Sequence, residues 1–330
     1  MDMLRRLLRL DRATPEKPVE DSAARSIIAP EEDSASPRSS ENGEALPSPI
    51  APPAFGGTRQ LPPLESALTR PNQHITYGQS SDVGMVRSNN QDAVLTFFAS
   101  QGNTDNIPDF GLFIVADGMG GHHDGEKASA IATRVLAEQI TNKIYIPMLT
   151  RLKEMDAEHA TVSEILTEAV KTANEVVVQS IPEGGTTITA AAIMGDLAYI
   201  AHVGDSRAYL INQDGTIEQI TRDHSLVQRL IELDQLTPEE AAQHPQKNVL
   251  YRAIGQSDNL EVDSIIRRLP THARLLLCSD GLWNMVSTED IINTVLNTPT
   301  PQQACDRLVA LANERGGSDN ISAILLQVPG

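Results

Sequence analysis

The sequence predicts an α+β fold, with helices layered on largely antiparallel sheets. Three observations carry that reading. Short apolar runs rich in β-branched residues recur around tight turns such as Gly195-Asp196 and Asp214-Gly215, the hairpin signal. Stretches with apolar residues at helical spacing come in neighbouring pairs. Hairpins dominate the middle of the chain, where a parallel sheet would alternate single strands with single helices.

Taken in order, the first 73 residues hold 11 of the 20 prolines, many Ser, Glu and Ala, and no sustained apolar period. This composition reads as a disordered tail over 1–73. Its opening, Met3-Leu4-Arg5-Arg6-Leu7-Leu8-Arg9-Leu10, is short, basic and apolar. It reads either as an interfacial or docking helix or as a frayed terminus, and it lacks the long apolar core of a secretory signal. One folded domain is expected over 74–330. Strands are expected at 93–98 and 112–116, the second with the length and β-branching of a buried strand. Gly125-Glu126-Lys127 opens a helix whose apolar face carries Ala128, Ala132, Leu136 and Ile140. Thr161 and Glu164 form a capping-box signature for a second helix. Strands follow at 187–194, 197–203 and 207–211, then a helical stretch at 225–235 and a helix opened by Thr237-Pro238-Glu239-Glu240. Strands at 260–267 and 274–278, helices at 287–295 and 301–315, and a final strand at 321–328 complete the chain.

Composition excludes several functions. The formal net charge of −18 argues against a nucleic-acid partner, which needs a positive face, and favours divalent cations nearby. No apolar run approaches a membrane span. The two cysteines, Cys278 and Cys305, offer neither a zinc set nor a disulfide framework and point to a reducing cytosol. Aromatic residues make up 3% of the chain, so aliphatic side chains must fill the core.

Chemistry concentrates at turns beside strands. The run 112–116 ends in Asp117-Gly118-Met119-Gly120-Gly121, and the run 274–278 ends in Ser279-Asp280-Gly281. An Asp at the mouth of a buried strand is costly to desolvate without a cation or donors. Asp92, Asp205 in Gly204-Asp205-Ser206, and Asp319 in Gly317-Ser318-Asp319-Asn320 occupy similar turns. Any one of them alone reads more readily as a turn-former or helix cap than as a ligand. Five together, with small flanking residues, point to hard oxygen ligands for magnesium or manganese. Arg87 offers a planar fork to phosphate oxygens, or else forms a surface ion pair.

These segments resemble, in order, the motifs of the metal-dependent Ser/Thr protein phosphatases, the PPM or type-2C family, of the bacterial kind. The matching segments are Arg87-Ser88-Asn89-Asn90-Gln91-Asp92-Ala93, the run from Val115 to Gly121 with Gly125-Glu126-Lys127, Gly185-Thr186-Thr187 with Val203-Gly204-Asp205-Ser206-Arg207, Cys278-Ser279-Asp280-Gly281-Leu282, and Gly317-Ser318-Asp319-Asn320-Ile321. The resemblance spans roughly 75–328. It implies an α-β-β-α sandwich, two central antiparallel sheets flanked by helix pairs, with metals at one end. It implies that Asp117 bridges two tight Mn2+ or Mg2+ ions, that the Gly118 carbonyl and Asp92 serve the second, and that Asp280 and Asp319 serve the first. Asp205 with Asp280 corresponds to a third, weaker ion, and Arg87 to the phosphate-binding arginine. The insert near 223–255 resembles the flap beside the site. The implied reaction is direct hydrolysis of phosphoserine and phosphothreonine on proteins by a metal-activated water, with no phosphoenzyme. A cytoplasmic monomer opposing a Ser/Thr kinase is expected.

Two departures stand out. Gln91 replaces a common metal-binding Glu, which weakens the second ion or makes it bind through water. Met119 stands where animal relatives carry a His, so the leaving group's proton comes from bound water or from His122 or His123. Two rival readings are a catalytically silent phosphoprotein-binding domain and a metal nuclease. The retained acids oppose the first, and the negative charge opposes the second.

Overall fold

The structure is a computed structural model that describes residues 74–100, 108–120, 124–150 and 160–330. The expectations for the tail and for His122 and His123 lie outside the described residues.

The strands are β1 (Thr76–Asp82), β2 (Ala93–Ala99), β3 (Phe110–Ala116), β4 (Gly118–Met119), β5 (Gly185–Thr186), β6 (Ile188–Met194), β7 (Leu197–Val203), β8 (Arg207–Ile211), β9 (Ile217–Gln219), β10 (Asp263–Arg268), β11 (Arg274–Cys278) and β12 (Ile321–Gln327). The helices are α1 (Asp124–Ile140), α2 (Ile146–Thr150), α3 (Val162–Ser180), α4 (Leu226–Glu232), α5 (Pro238–Ala242), α6 (Asp280–Trp283), α7 (Thr288–Asn297) and α8 (Pro301–Glu314). One sheet runs β1-β12-β11-β8-β9 and the other β10-β7-β6-β3-β2; a two-stranded piece pairs β4 with β5. All these pairings are antiparallel.

Three apolar clusters hold four layers together. Between the sheets lie Phe113, Val115, Ile200, Leu275, Leu277 and Ile324. Phe110, Leu112 and Ile114 face the other way and meet Leu136 and Ile140 of α1 with Leu166 and Val170 of α3. On the far side, Leu276 and Leu325 meet Val295 of α7 and Leu308 of α8. The order is therefore α-β-β-α. Strand β3 is apolar throughout because both of its faces are covered.

Helix starts follow their local chemistry. The Thr161 side chain accepts from the Glu164 N–H, and the Glu164 carboxylate accepts from the Thr161 N–H, which completes the expected capping box. Thr237 does the same with Glu240 at α5. The sequence pattern did not show the short β4–β5 pair or the helices α2 and α6, and two further features depend on distant partners. Strand β1 runs on to Asp82 through polar residues, because its partner β12 continues alongside to Ile321. A π-helical turn, Thr141–Tyr145, prolongs α1 so that Tyr145 packs against Phe97 and Phe110 at ring separations of 5.0 and 5.2 Å.

Both cysteines are buried and free, and burial pushes each thiol up to about 12, so they act as small apolar core residues. The central aliphatic layer is also the main stabiliser. Replacing fully buried Ile324 by Ala should cost roughly 2–5 kcal/mol. Urea denaturation is expected to show a lower midpoint with an unchanged slope.

Candidate functional site

Strand register gathers the five acids. Ala93 pairs with Ala116, so Asp92 and Asp117 leave the ends of adjacent strands. Ile188 pairs with Val203, which sets Thr187 beside Gly204 and Asp205 just beyond. In the other sheet Cys278 pairs with both Arg207 and Ala323. The Ser279-Asp280 turn therefore lies between Ser206 and the Asp319–Asn320 turn. Asp117, Asp205, Asp280, Asp319, Gly118 and Arg87 line one cavity of about 230 Å³. Asp92 lies behind it and accepts a 2.7 Å hydrogen bond from Ser279 Oγ.

The backbone around Asp117 is held on both sides. Its N–H donates to Thr187 Oγ1 at 2.9 Å, and its carbonyl accepts from Thr187 N and Thr186 Oγ1, both at 2.9 Å. Gly118 donates to the Gln91 carbonyl at 3.1 Å, which also accepts from Ser129 Oγ at 2.6 Å. A Cβ at position 118 would run into the Gly125 and Gln91 carbonyl oxygens. The Gln91 side-chain amide turns to the Gly120 carbonyl at 3.5 Å. At the mouth, Arg87 Nη2 donates to Asp319 Oδ2 at 2.7 Å, and about half of the Arg87 side chain is exposed.

Burial pushes the Asp117 carboxyl well above its ordinary range, and repulsion from Asp92, Asp280, Asp205 and Asp319 adds to the shift. Asp92 is pushed up to about 7 and Asp280 to about 6, again chiefly by burial and then by neighbouring carboxylates. Buried Oδ1 atoms of Asp92 and Asp280 have no hydrogen-bond donor among the described residues. An all-oxygen site with orphaned, mutually repelling carboxylates fits hard divalent cations. Among the described residues no three His, Cys, Asp or Glu side chains converge as a single-ion cage.

The protein phosphatase 2C family model matches residues 86–325. The chain belongs to that family. It is similar to the serine/threonine phosphatase stp of Listeria monocytogenes, with 37% identity over 247 residues, 75% of this chain and 93% of that protein. It is also similar to the solved serine/threonine phosphatase of S. agalactiae, with TM-score 0.66, 35% identity, and 77% and 100% of the two chains covered. A third similar structure is the catalytic domain of the serine/threonine phosphatase PstP in complex with 2 manganese ions, with TM-score 0.62, 32% identity and coverage of 78% and 99%. This member of the 2C family is a metal-dependent protein-serine/threonine phosphatase, and the catalytic reading is favoured over the silent one.

Several residues in the site had no role in the sequence reading. Ser279 donates to Asp92 and accepts from the Ser322 N–H at 2.9 Å. Asn320 accepts from Gln91 N and donates to the Val83 and Asn89 carbonyls. Trp283 Nε1 donates to the Asp205 carbonyl at 3.1 Å, with the Arg207 guanidinium 3.5 Å over its ring. Arg207 in turn is bidentate to Asp223. Ser279 and Asn320 flank the metal-type acids in sequence, which was the available signal; nothing local marked Trp283.

Gly118→Ala is expected to lower the melting temperature and the turnover together. The obstructing atoms are backbone oxygens, which no rotamer change can move aside. A thermal melt with an unchanged midpoint would contradict this packing.

Proposed function

We propose that this chain removes phosphoryl groups from phosphoserine and phosphothreonine on proteins as a cytoplasmic monomer opposing a Ser/Thr kinase. The crowding of Asp92, Asp117, Asp205, Asp280 and Asp319 around one cavity with an arginine at its mouth carries the reading. The residues that would hold manganese or magnesium are Asp117, shared by two tight ions, with Gly118 and Asp92 on one and Asp280 and Asp319 on the other. Asp205 with Asp280 would hold a third, weaker ion. Bound there, such cations supply a water activated near neutral pH and cancel phosphate charge.

The chain's own groups do the rest. The Arg87–Asp319 pair is solvent-exposed, and such a pair contributes only about 0–1 kcal/mol. Arg87 can therefore leave Asp319 and turn its fork to the phosphate oxygens. Asn248 and Leu250, from the insert at 223–255, form part of the opposite wall. Met119 lines the cavity and offers no proton, so the departing serine or threonine oxygen takes one from water or from His122 or His123. No helix among the described residues is long and apolar enough to cross a membrane. The tail at 1–73 takes no part in this scheme.

The test is hydrolysis of nitrophenyl phosphate and of a phosphothreonine peptide with and without manganese. Asp117→Asn keeps the side-chain volume and removes the shared charge, so turnover should be lost. Its metal-free stability should rise. A buried carboxyl whose folded pKa lies above its unfolded value loses stability as pH rises through that range, and at pH 7 the amide escapes this penalty. Near-normal turnover in Asp117→Asn at saturating manganese would refute the assignment.

Asp205→Ala should slow turnover by about 10²-fold, the scale of losing one well-placed electrostatic group. Two tight ions should still be counted by calorimetry. Loss of those ions, or unchanged turnover, would remove the weak-ion role.

A further inference from the structure

His224 is fully enclosed and is a four-way junction. Its main-chain N–H donates to the Gly204 carbonyl at 2.7 Å, and its own carbonyl accepts from Tyr251 N at 2.9 Å. Its Nδ1 lies 3.0 Å from the Gly204 N–H, and its Nε2 lies 3.1 Å from Asp263 Oδ2. A backbone N–H can only donate, so Nδ1 is the acceptor and the ring proton sits on Nε2, aimed at Asp263. Arg252 Nη1 lies 3.0 Å from the same Nε2 and 2.9 Å from Asp263 Oδ1; because Nε2 carries the proton, the guanidinium donates to the carboxylate.

These partners belong to two different parts of the molecule. Gly204 immediately precedes Asp205 and sits at φ +110°, where a side chain would also strike Thr187. Its conformation is confined by its surroundings. Tyr251 and Arg252 close the insert, whose base is the pairing of Ser225 with Leu250 and the 2.8 Å bond from Leu226 N to the Val249 carbonyl. From that base, Asn248 and Leu250 reach the cavity. His202, buried with its ring centre 4.9 Å from that of His224 and tilted 37° to it, is held down to about 3 by burial and stays neutral, with its ring nitrogens on Thr189 Oγ1 and the Arg222 carbonyl.

We propose that His224 is a positioning residue that clamps Gly204, and through it the Asp205 carboxylate, to the base of the 226–249 insert. The insert wall and the weakest cation position then move as one unit. Substrate that settles against Asn248 and Leu250 strengthens ion binding at Asp205, and the ion in turn strengthens substrate binding, because coupling between two sites is reciprocal. The inference rests on the phosphatase reading above and adds a device to it.

Trp283 provides a direct readout, since it is the chain's single tryptophan and bonds the Asp205 carbonyl. Manganese titrations of the full chain would follow Trp283 emission, nitrophenyl phosphate turnover and, by calorimetry, the tight ions. In His224→Leu the manganese midpoint for emission and for turnover should rise together by about 10-fold, the scale of one lost buried hydrogen bond. The tight ions should be unaffected. His224→Asn places Oδ1 where Nδ1 lies and keeps the Gly204 bond, so its midpoint should recover most of that shift.

Arg252→Ala loosens only the insert side, and its midpoint should rise by about 3-fold, a fraction of one hydrogen bond. Should His224→Leu fail to fold, Arg252→Ala and His224→Asn decide. An unchanged midpoint in Arg252→Ala, or in a folded His224→Leu with a lowered melting temperature, would overturn the proposal and leave His224 as a core prop. Loss of the tight ions in either variant would also overturn it. A wild type without manganese-dependent turnover would instead remove the phosphatase reading itself.

Discussion

Carboxylates taken out of water together repel one another, and the rest of this structure answers to that constraint. Desolvation and mutual repulsion both push Asp117, Asp92 and Asp280 towards protonation. The described residues that line the cavity include one cationic side chain, Arg87, and it sits at the mouth. Such an arrangement costs stability unless positive charge arrives from solution. Its persistence in the fold is the physical sign of a site built for cations, and the net charge of −18 raises their local concentration.

The scaffold bears this cost through rigidity. Antiparallel registers fix where each acid leaves its strand, and the aliphatic layer between the sheets fixes the registers. At the strand ends, short hydroxyl side chains take over. Thr187, Ser279 and Ser129 bond backbone or carboxylate groups across wide sequence separations, and Ser206 Oγ bonds the Thr187 hydroxyl. They satisfy buried polar atoms without adding charge, so the acids keep the negative potential that cations need.

The same economy shapes the substrate side. One exposed, weakly held arginine suits a phosphomonoester that must enter and leave, whereas a permanently buried pair would resist exchange. The insert contributes an apolar and an amide contact through Leu250 and Asn248. Its base is tied to the Asp205 loop through the His224 ring, which accepts from the Gly204 N–H and faces Asp263.

The sequence by itself determined the layer class, most element positions and the acids. Apolar periodicity, Asp-Gly turns and the Thr161–Glu164 cap are local signals, and local sterics and burial enforce them. The uniform apolarity of β3 already required cover on both faces. Periodicity could not show the continuation of β1 to Asp82 or the π-helical turn at Thr141–Tyr145, because each depends on a packing partner far along the chain. It also could not single out Ser279, Trp283 or His224. Ser279 meets Asp92 across 187 residues, Trp283 meets Asp205 across 78, and His224 meets Gly204 across 20. Hydrogen bonds between distant residues leave no spacing in the sequence, and which donors meet which acceptors is decided only when the two sheets close against each other.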